Sequence, residues 1–161
     1  MNDLGINSVM LDASFCIRLM DKNDDLHPVA LDYFRYFLGE KISMHISTVA
    51  IAEYAVGDDP SHLPLNNLQI EAFDFLDAVK AGIFHREVRG NHTNIQGYNR
   101  RIIANDIKIF AQLAVKKIDA VISKDVQSLQ QYVNPLIKAN LLQVIFIDLN
   151  IPLNTKLGML F

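Results

Sequence analysis

The sequence predicts an α/β fold, a parallel sheet covered by helices on both faces. Two observations carry that prediction. Short β-type apolar runs alternate with helical stretches along the whole chain, which is the pattern of strands joined by right-handed helical crossovers. At two places a buried-type run also leads straight into a turn ending in a carboxylate that would open the next helix. That geometry sets the acid at the carboxyl edge of the sheet, where open α/β folds place their ligands. With 161 residues, half of them hydrophobic, the chain has the size of one domain with one core, and residues 1–161 are expected to form a single domain. No repeat, low-complexity tract or linker divides it.

Composition narrows the function classes. The lone Cys16 has no partner for an internal disulfide, and the start Met-Asn-Asp-Leu-Gly has neither a basic nor an apolar leader region. A reducing, cytoplasmic location is therefore expected. The best apolar run, Val144 to Ile147, is strand-sized, so no membrane partner is expected. A net charge of -3 argues against a protein coated in positive charge for nucleic acid, yet leaves room for a local basic patch.

Taken in order, Ser8 to Leu11 reads as the first strand and Ala13 to Met20 as the first helix. Asp21 to Asp25 is a charged turn, and Pro28 sits in the first turn of a second helix reaching about Leu38, where proline is tolerated. Ile42 to Ile46 is the second strand; Ser47 then caps a helix to about Val56, which Gly57 ends. Asp58 to Asn67 is a loop, Leu68 to Ala81 an amphipathic helix closed by Gly82, and Ile83-Phe84-His85 a brief third strand. Arg86 to Asn99 is polar and turn-rich, and a long helix follows from about Arg100 to Lys117. Ala120 to Ser123, Val126 to Val133 and Gln143 to Ile147 complete the pattern as strand, short helix and strand.

Four acids stand out. Asp12 and Asp125 each follow a strand, and each could be no more than a helix N-cap. Glu53 interrupts the nearly all-apolar helix Thr48 to Val56, on a face with Val49 and Val56. Asp106 is the strongest anomaly, because Ile102, Ile103, Ile109, Phe110 and Leu113 surround it on the stripe that should face the core. A charge there must be paired, hydrogen-bonded or bound to a metal, so the competing reading is a buried ion pair with an Arg or Lys. If the four converge at one edge they cannot all stay ionised without cations, and an all-oxygen set suits Mg²⁺ or Mn²⁺. Such clusters commonly serve metal-dependent phosphodiester hydrolysis. Glu71, Asp74 and Asp77 read as the solvated face of a helix, Asp119 as an acid at the opposite edge, and His45 as a satisfied histidine within a strand.

The series Val-Met-Leu-Asp12-Ala-Ser, Ile-Ser-Thr-Val-Ala-Ile-Ala-Glu53, Asn105-Asp106-Ile-Lys-Ile-Phe-Ala-Gln-Leu-Ala and Val-Ile-Ser-Lys-Asp125 resembles the PIN domain, including the toxin ribonucleases of toxin-antitoxin modules. The resemblance spans about residues 8 to 147. It implies a three-layer α/β/α sandwich with a central parallel sheet in the order 3-2-1-4-5, and an endoribonuclease using Mg²⁺ or Mn²⁺. Asp12, Glu53, Asp106 and Asp125 match the family's acidic quartet in catalytic and metal-ligating roles. An RNA substrate, an antitoxin protein and a homodimer are the implied partners. Gln127 stands where many members carry an acid or Asn, which implies a weak second metal site. Ser123 replaces the common Thr and keeps its hydroxyl, and the segment before the long helix is longer than in compact toxins.

That segment holds Arg86, Arg89, Arg100 and Arg101 against Glu87, a local positive excess that could hold RNA phosphates. His92, Asn94 and Tyr98 could add hydrogen bonds or a stacking face for an unpaired base. The same residues could equally form a solvated loop. A catalytically silent member of the fold, binding RNA or protein, is the alternative function. A phosphorylated receiver domain would need an acid ending strand three and a Lys ending strand five. The sequence offers His85-Arg86 and Asp148 instead. A haloacid-dehalogenase-type phosphatase would need Asp where Ser14 stands.

Overall fold

The computed structural model of the chain describes residues 2–91 and 100–158, with side chains at all of these except 91 and 100–104. Strands β1 (Ser8–Leu11), β2 (Ser43–Ser47), β3 (Leu68–Glu71), β4 (Ala120–Ser123) and β5 (Ile145–Asp148) form one parallel sheet in the order β3-β2-β1-β4-β5. The central strands are apolar without alternation because both of their faces are covered. Val9, Met10 and Leu11 of β1 are all 0 % exposed, and β4 is buried throughout. The edge strands are wetter, with Ile70 and Ile145 largely exposed.

Helices α1 (Ala13–Met20), α2 (His27–Gly39), α3 (Thr48–Tyr54), α4 (Phe75–Asn91), α5 (Arg100–Lys116), α6 (Val126–Lys138) and α7 (Leu153–Lys156) complete the fold. They cover both sides of the sheet: α1 packs on α2 and α2 on α7, while α4, α5 and α6 pack on one another. This is the expected three-layer α/β/α sandwich with the expected strand order. Local chemistry starts the helices as anticipated. The Ser47 hydroxyl accepts from the Val49 N–H at 3.0 Å to cap α3, and Pro28 lies in the first turn of α2. The apolar tail returns to the core side through α7, where the Tyr33 hydroxyl donates to the Ile151 carbonyl at 2.7 Å. Helix α6 runs five residues beyond the expected Val133, carrying Pro135 in its last turns. Among the described residues no helix is long and apolar enough to cross a membrane.

The third strand is not where the sequence was expected to place it. Leu68–Glu71 is β3, paired in parallel with β2, and Ile83-Phe84-His85 lies inside α4. Ala81, Phe84 and Val88 are buried at helical spacing with Asp77, so the 3.6-residue period rather than local β-propensity decided the segment. Gly82 closes nothing, and the polar stretch after Arg86 is helical as far as Asn91. The helix starts late because Asp74 and Asp77 form a reciprocal cap. The Asp77 N–H donates to Asp74 Oδ1 and the Asp74 N–H to Asp77 Oδ2, each at 3.0 Å. That is a capping box built from two aspartates.

Three acids expected on a solvated helix face therefore sit elsewhere. Glu71 ends β3, where its carboxylate meets His45 Nδ1 at 2.6 Å, and Asp77 is fully buried. Lys116 binds Glu71, Asp74 and Asp77 at 3.4 to 3.8 Å. His45 is satisfied as expected, and Asp119 accepts from the Asn7 N–H at the opposite edge. With Glu71 ending β3, one ground for setting aside a receiver domain disappears. The other holds, since β5 ends in Asp148, and the observed order differs from the receiver's 2-1-3-4-5.

The cap gives a test by sign. Asp74→Ala should lower stability in chemical denaturation by about 1 kcal/mol, the usual cost of a lost N-cap. Were residue 74 inside a continuous helix, the same change would raise stability, because Ala is the better interior residue.

Candidate functional site

In the order 3-2-1-4-5 the chain leaves β1 toward β2 on one side and later returns with β4 on the other. The crevice between the carboxyl ends of β1 and β4 is the topological switch point. Asp12 and Asp125 follow those two strands. Asp12 does act as an N-cap, accepting from the Phe15 N–H at 2.9 Å, and also accepts from the Ser14 hydroxyl at 2.6 Å. Asp125 occupies the N-cap position of α6 but makes no capping bond with its side chain. The capping reading therefore accounts for part of Asp12 and none of Asp125.

Two serines tie the turns together across the switch point. Ser14 Oγ lies 3.3 Å from Ser123 Oγ and accepts from the Lys124 N–H at 3.0 Å. Ser123 Oγ accepts from the Asp125 N–H at 3.0 Å and its hydroxyl also hydrogen-bonds Asp12. Both hydroxyls thus fix where the two aspartates stand.

The other two acids arrive from helices. Asp106 on α5 and Glu53 on α3 line the same cleft as Asp12 and Asp125, a space of about 540 Å³. Ser14, Asn105, Ser128, Leu129 and Tyr132 line it too, and among the described residues no Lys, Arg or His does. The four acids read from the sequence are therefore brought together. Asn105 hydrogen-bonds the Glu53 carboxylate, a contact between α5 and α3 that the sequence showed only as a polar residue beside Asp106. No described Lys or Arg forms an ion pair with Asp106, so among the described residues the buried-pair reading has no partner to offer.

Electrostatics follow from the crowding. Burial pushes the Asp106 carboxyl up to about 7, with the Glu53, Asp12 and Asp125 charges adding to the shift. Burial also raises Asp12, against hydrogen bonds from Ser123, Ser14 and the Phe15 N–H. Glu53 is raised by burial, which outweighs the Asn105 hydrogen bond. Among the described residues no three His, Cys, Asp or Glu side chains gather tightly enough to hold an ion as they stand. The acids form an open cleft with one kind of donor, the hard carboxylate oxygen that Mg²⁺ and Mn²⁺ take.

Arg86 and Arg89 are exposed on α4, and neither lines the acidic cleft. The side chains of Arg100 and Arg101, and all of His92, Asn94 and Tyr98, lie outside the described residues.

Comparison with solved structures matches this architecture. A chain of VapBC2 from Rickettsia felis, bound to a DNA fragment from its promoter, superposes with a TM-score of 0.60 at 16% identity, covering 88% of this chain and 99% of that one. The fold is that of the PIN domain. A chain of DNA-bound VapBC from Salmonella typhimurium gives 0.55 at 15% identity, over 86% of this chain and 97% of the other. VapC20 of Mycobacterium tuberculosis, a Sarcin-Ricin loop cleaving toxin, gives 0.50 at 15% identity, over 70% and 86%. No protein-family model and no curated protein matches the sequence. At such identities the likeness is one of PIN-like fold, reached by a chain of largely different sequence.

The Asp106 shift has a sign that can be checked. Unfolded, this carboxyl loses its proton near pH 4; folded, it keeps it to about 7. Raising pH through that window therefore favours the unfolded chain, by at most about 1.4 kcal/mol per pH unit for this group. In chelator, thermal unfolding of Asp106→Asn should show a flatter loss of stability between pH 4 and 7 than the parent, and equal or higher stability at pH 7. A partner cation stranded by the mutation would instead cost about 3 to 5 kcal/mol.

Proposed function

We propose that the chain is a metal-dependent endoribonuclease, and that Asp12, Glu53, Asp106 and Asp125 hold Mg²⁺ or Mn²⁺ in the cleft at the switch point. The observation that carries this reading is Asp106 itself. It is a half-buried carboxyl on the core stripe of α5, pushed up to about 7 by its burial and by three like charges, with no base among the described residues that line the cleft. Among the described residues such a group has no countercharge, and the uniform oxygen donor set around it suits a hard cation.

The chain's own residues would do the following. Asp12, oriented by Ser14, Ser123 and the α1 N-terminus, and Asp125, whose side chain caps nothing, would present carboxylates from the two strand ends. Asp106 and Glu53 would close on the ion from the helices, with Asn105 steering Glu53. Bound there, a divalent cation would supply an activated water and charge neutralisation for an in-line displacement at phosphorus. Hydrolysis adds water across a P–O bond, leaving a phosphate ester on one product and a hydroxyl on the other. The open cleft suits an extended strand threading past the acids.

The likeness to a Sarcin-Ricin loop cleaving toxin supports RNA as substrate, and the two VapBC assemblies support a protein partner of antitoxin type. A homodimer and a cytoplasmic setting belong to the same proposal. Arg86 and Arg89, which do not line the cleft, and Arg100 and Arg101 remain proposed phosphate-binding groups.

Cleavage of single-stranded or loop RNA should appear only with Mg²⁺ or Mn²⁺ and vanish in excess chelator. Asp106→Asn should reduce it by at least about 100-fold at saturating RNA. Gel analysis of a labelled stem-loop RNA checks both, and cleavage that persists in chelator would refute the assignment.

A further inference from the structure

Two further grooves, each of about 480 Å³, adjoin the acidic cleft and share Glu53 with it. Their charges differ in a way that matters to a polyanion. The first runs between α1 and the end of α3, walled by Ile17, Met20 and Tyr54, and it carries Asp21 and Asp58 with no base among its described residues. Asp58 is held below the usual carboxylate range by the Tyr54 hydroxyl, so that groove keeps its negative charge. The second lies between α3 and α5, with Val49, Ala52 and Val56 as an apolar wall and Thr48, Asn105 and Lys108 as polar groups. Glu53 is the one acid among its described residues.

Lys108 is built for the role of anion anchor. It sits two residues after Asp106 on α5, and among the described residues no carboxylate pairs with it. Its ammonium lies 5.9 Å from the centre of the Phe73 ring, a cation–π contact that keeps the long side chain beside the groove without neutralising it. Phe73 is itself fixed by its N–H, which donates to Thr48 Oγ1 at 3.2 Å. An aliphatic wall next to an ammonium with no carboxylate partner among the described residues matches the two halves of a nucleotide, the apolar face of a base and a phosphate.

We propose that the α3–α5 groove is a nucleotide subsite, taking the unpaired base of an RNA nucleotide adjacent to the acidic cleft while Lys108 binds its phosphate. The assignment rests on the ribonuclease reading for the identity of the ligand. It gives the RNA strand a path across the molecule, along the groove between α3 and α5 and away from the acidic groove beside α1.

The test is binding of a short single-stranded phosphorothioate RNA in Mg²⁺, followed by fluorescence anisotropy over a salt series. Lys108→Gln should weaken binding about five- to tenfold and reduce the log–log salt slope by about 0.7, the share of one single-strand phosphate contact. Lys108→Arg should restore both. Val56→Glu gives an independent arm, since a side chain 90% exposed can change without disturbing the fold, and its added charge on the groove wall should also weaken binding. If the parent binds RNA and both Lys108→Gln and Val56→Glu match it in affinity and slope, the subsite is refuted while the ribonuclease reading stands. If the parent binds no RNA even at low salt, both fall. Equal affinity for a duplex of the same sequence would refute an unpaired base as the occupant.

Discussion

Like charge gathered at one edge of the sheet is the constraint on which the rest of this structure depends. Asp12, Glu53, Asp106 and Asp125 come from four separate elements yet line one cleft in which no described residue is a base. Desolvation, with like-charge repulsion added, raises the proton affinity of three of them, Asp12, Glu53 and Asp106. A fold selected for stability alone would place apolar side chains along this stripe of α5, as it does at Ile107, Ile109, Phe110 and Leu113. Keeping an acid there costs stability, and the cost makes chemical sense where a hard cation takes the proton's place.

Much of the remaining architecture serves that edge. The parallel sheet sends the ends of β1 and β4 to the switch point, and the Ser14 and Ser123 hydroxyls lock the two turns to each other. Helix α5 is anchored far from the cleft's centre by Lys116, which ties it to Glu71, Asp74 and Asp77 at the start of α4. Gln112 reinforces the same junction, donating to the Glu71 carbonyl at 3.1 Å. The capping box of α4 thus positions the helix that carries Asp106, although none of its residues lines the cleft.

The parts of this arrangement that were legible in the sequence are those written in local periodicity. Asp106 could be read because one charge broke a strong 3.6-residue stripe, and Asp12 because a strand ended on it. The strand order is longer-range and came only with the resemblance to the PIN domain. The region 68–85 was misread because Leu68–Glu71 is a four-residue edge strand with weak alternation, while Ile83-Phe84-His85 has β-type composition inside a helix. Asp74-x-x-Asp77 was the available signal, a capping box in which aspartate replaces the more familiar glutamate. Asn105 and Lys108 could not be assigned from the chain alone. Their meaning depends on α3 lying against α5, which no local pattern encodes.

The account is tested most directly by Mn²⁺ binding measured calorimetrically at pH 6 and pH 8 in buffers of different ionisation enthalpy. If the acidic cleft is the cation site, Mn²⁺ binds saturably, more tightly at the higher pH, and releases protons at pH 6 because Asp106 must give up the one it holds. Asp106→Asn would abolish or severely weaken that binding. Saturable binding with no proton release and no loss in the Asp106→Asn protein would contradict the account, as would the absence of Mn²⁺ binding at either pH.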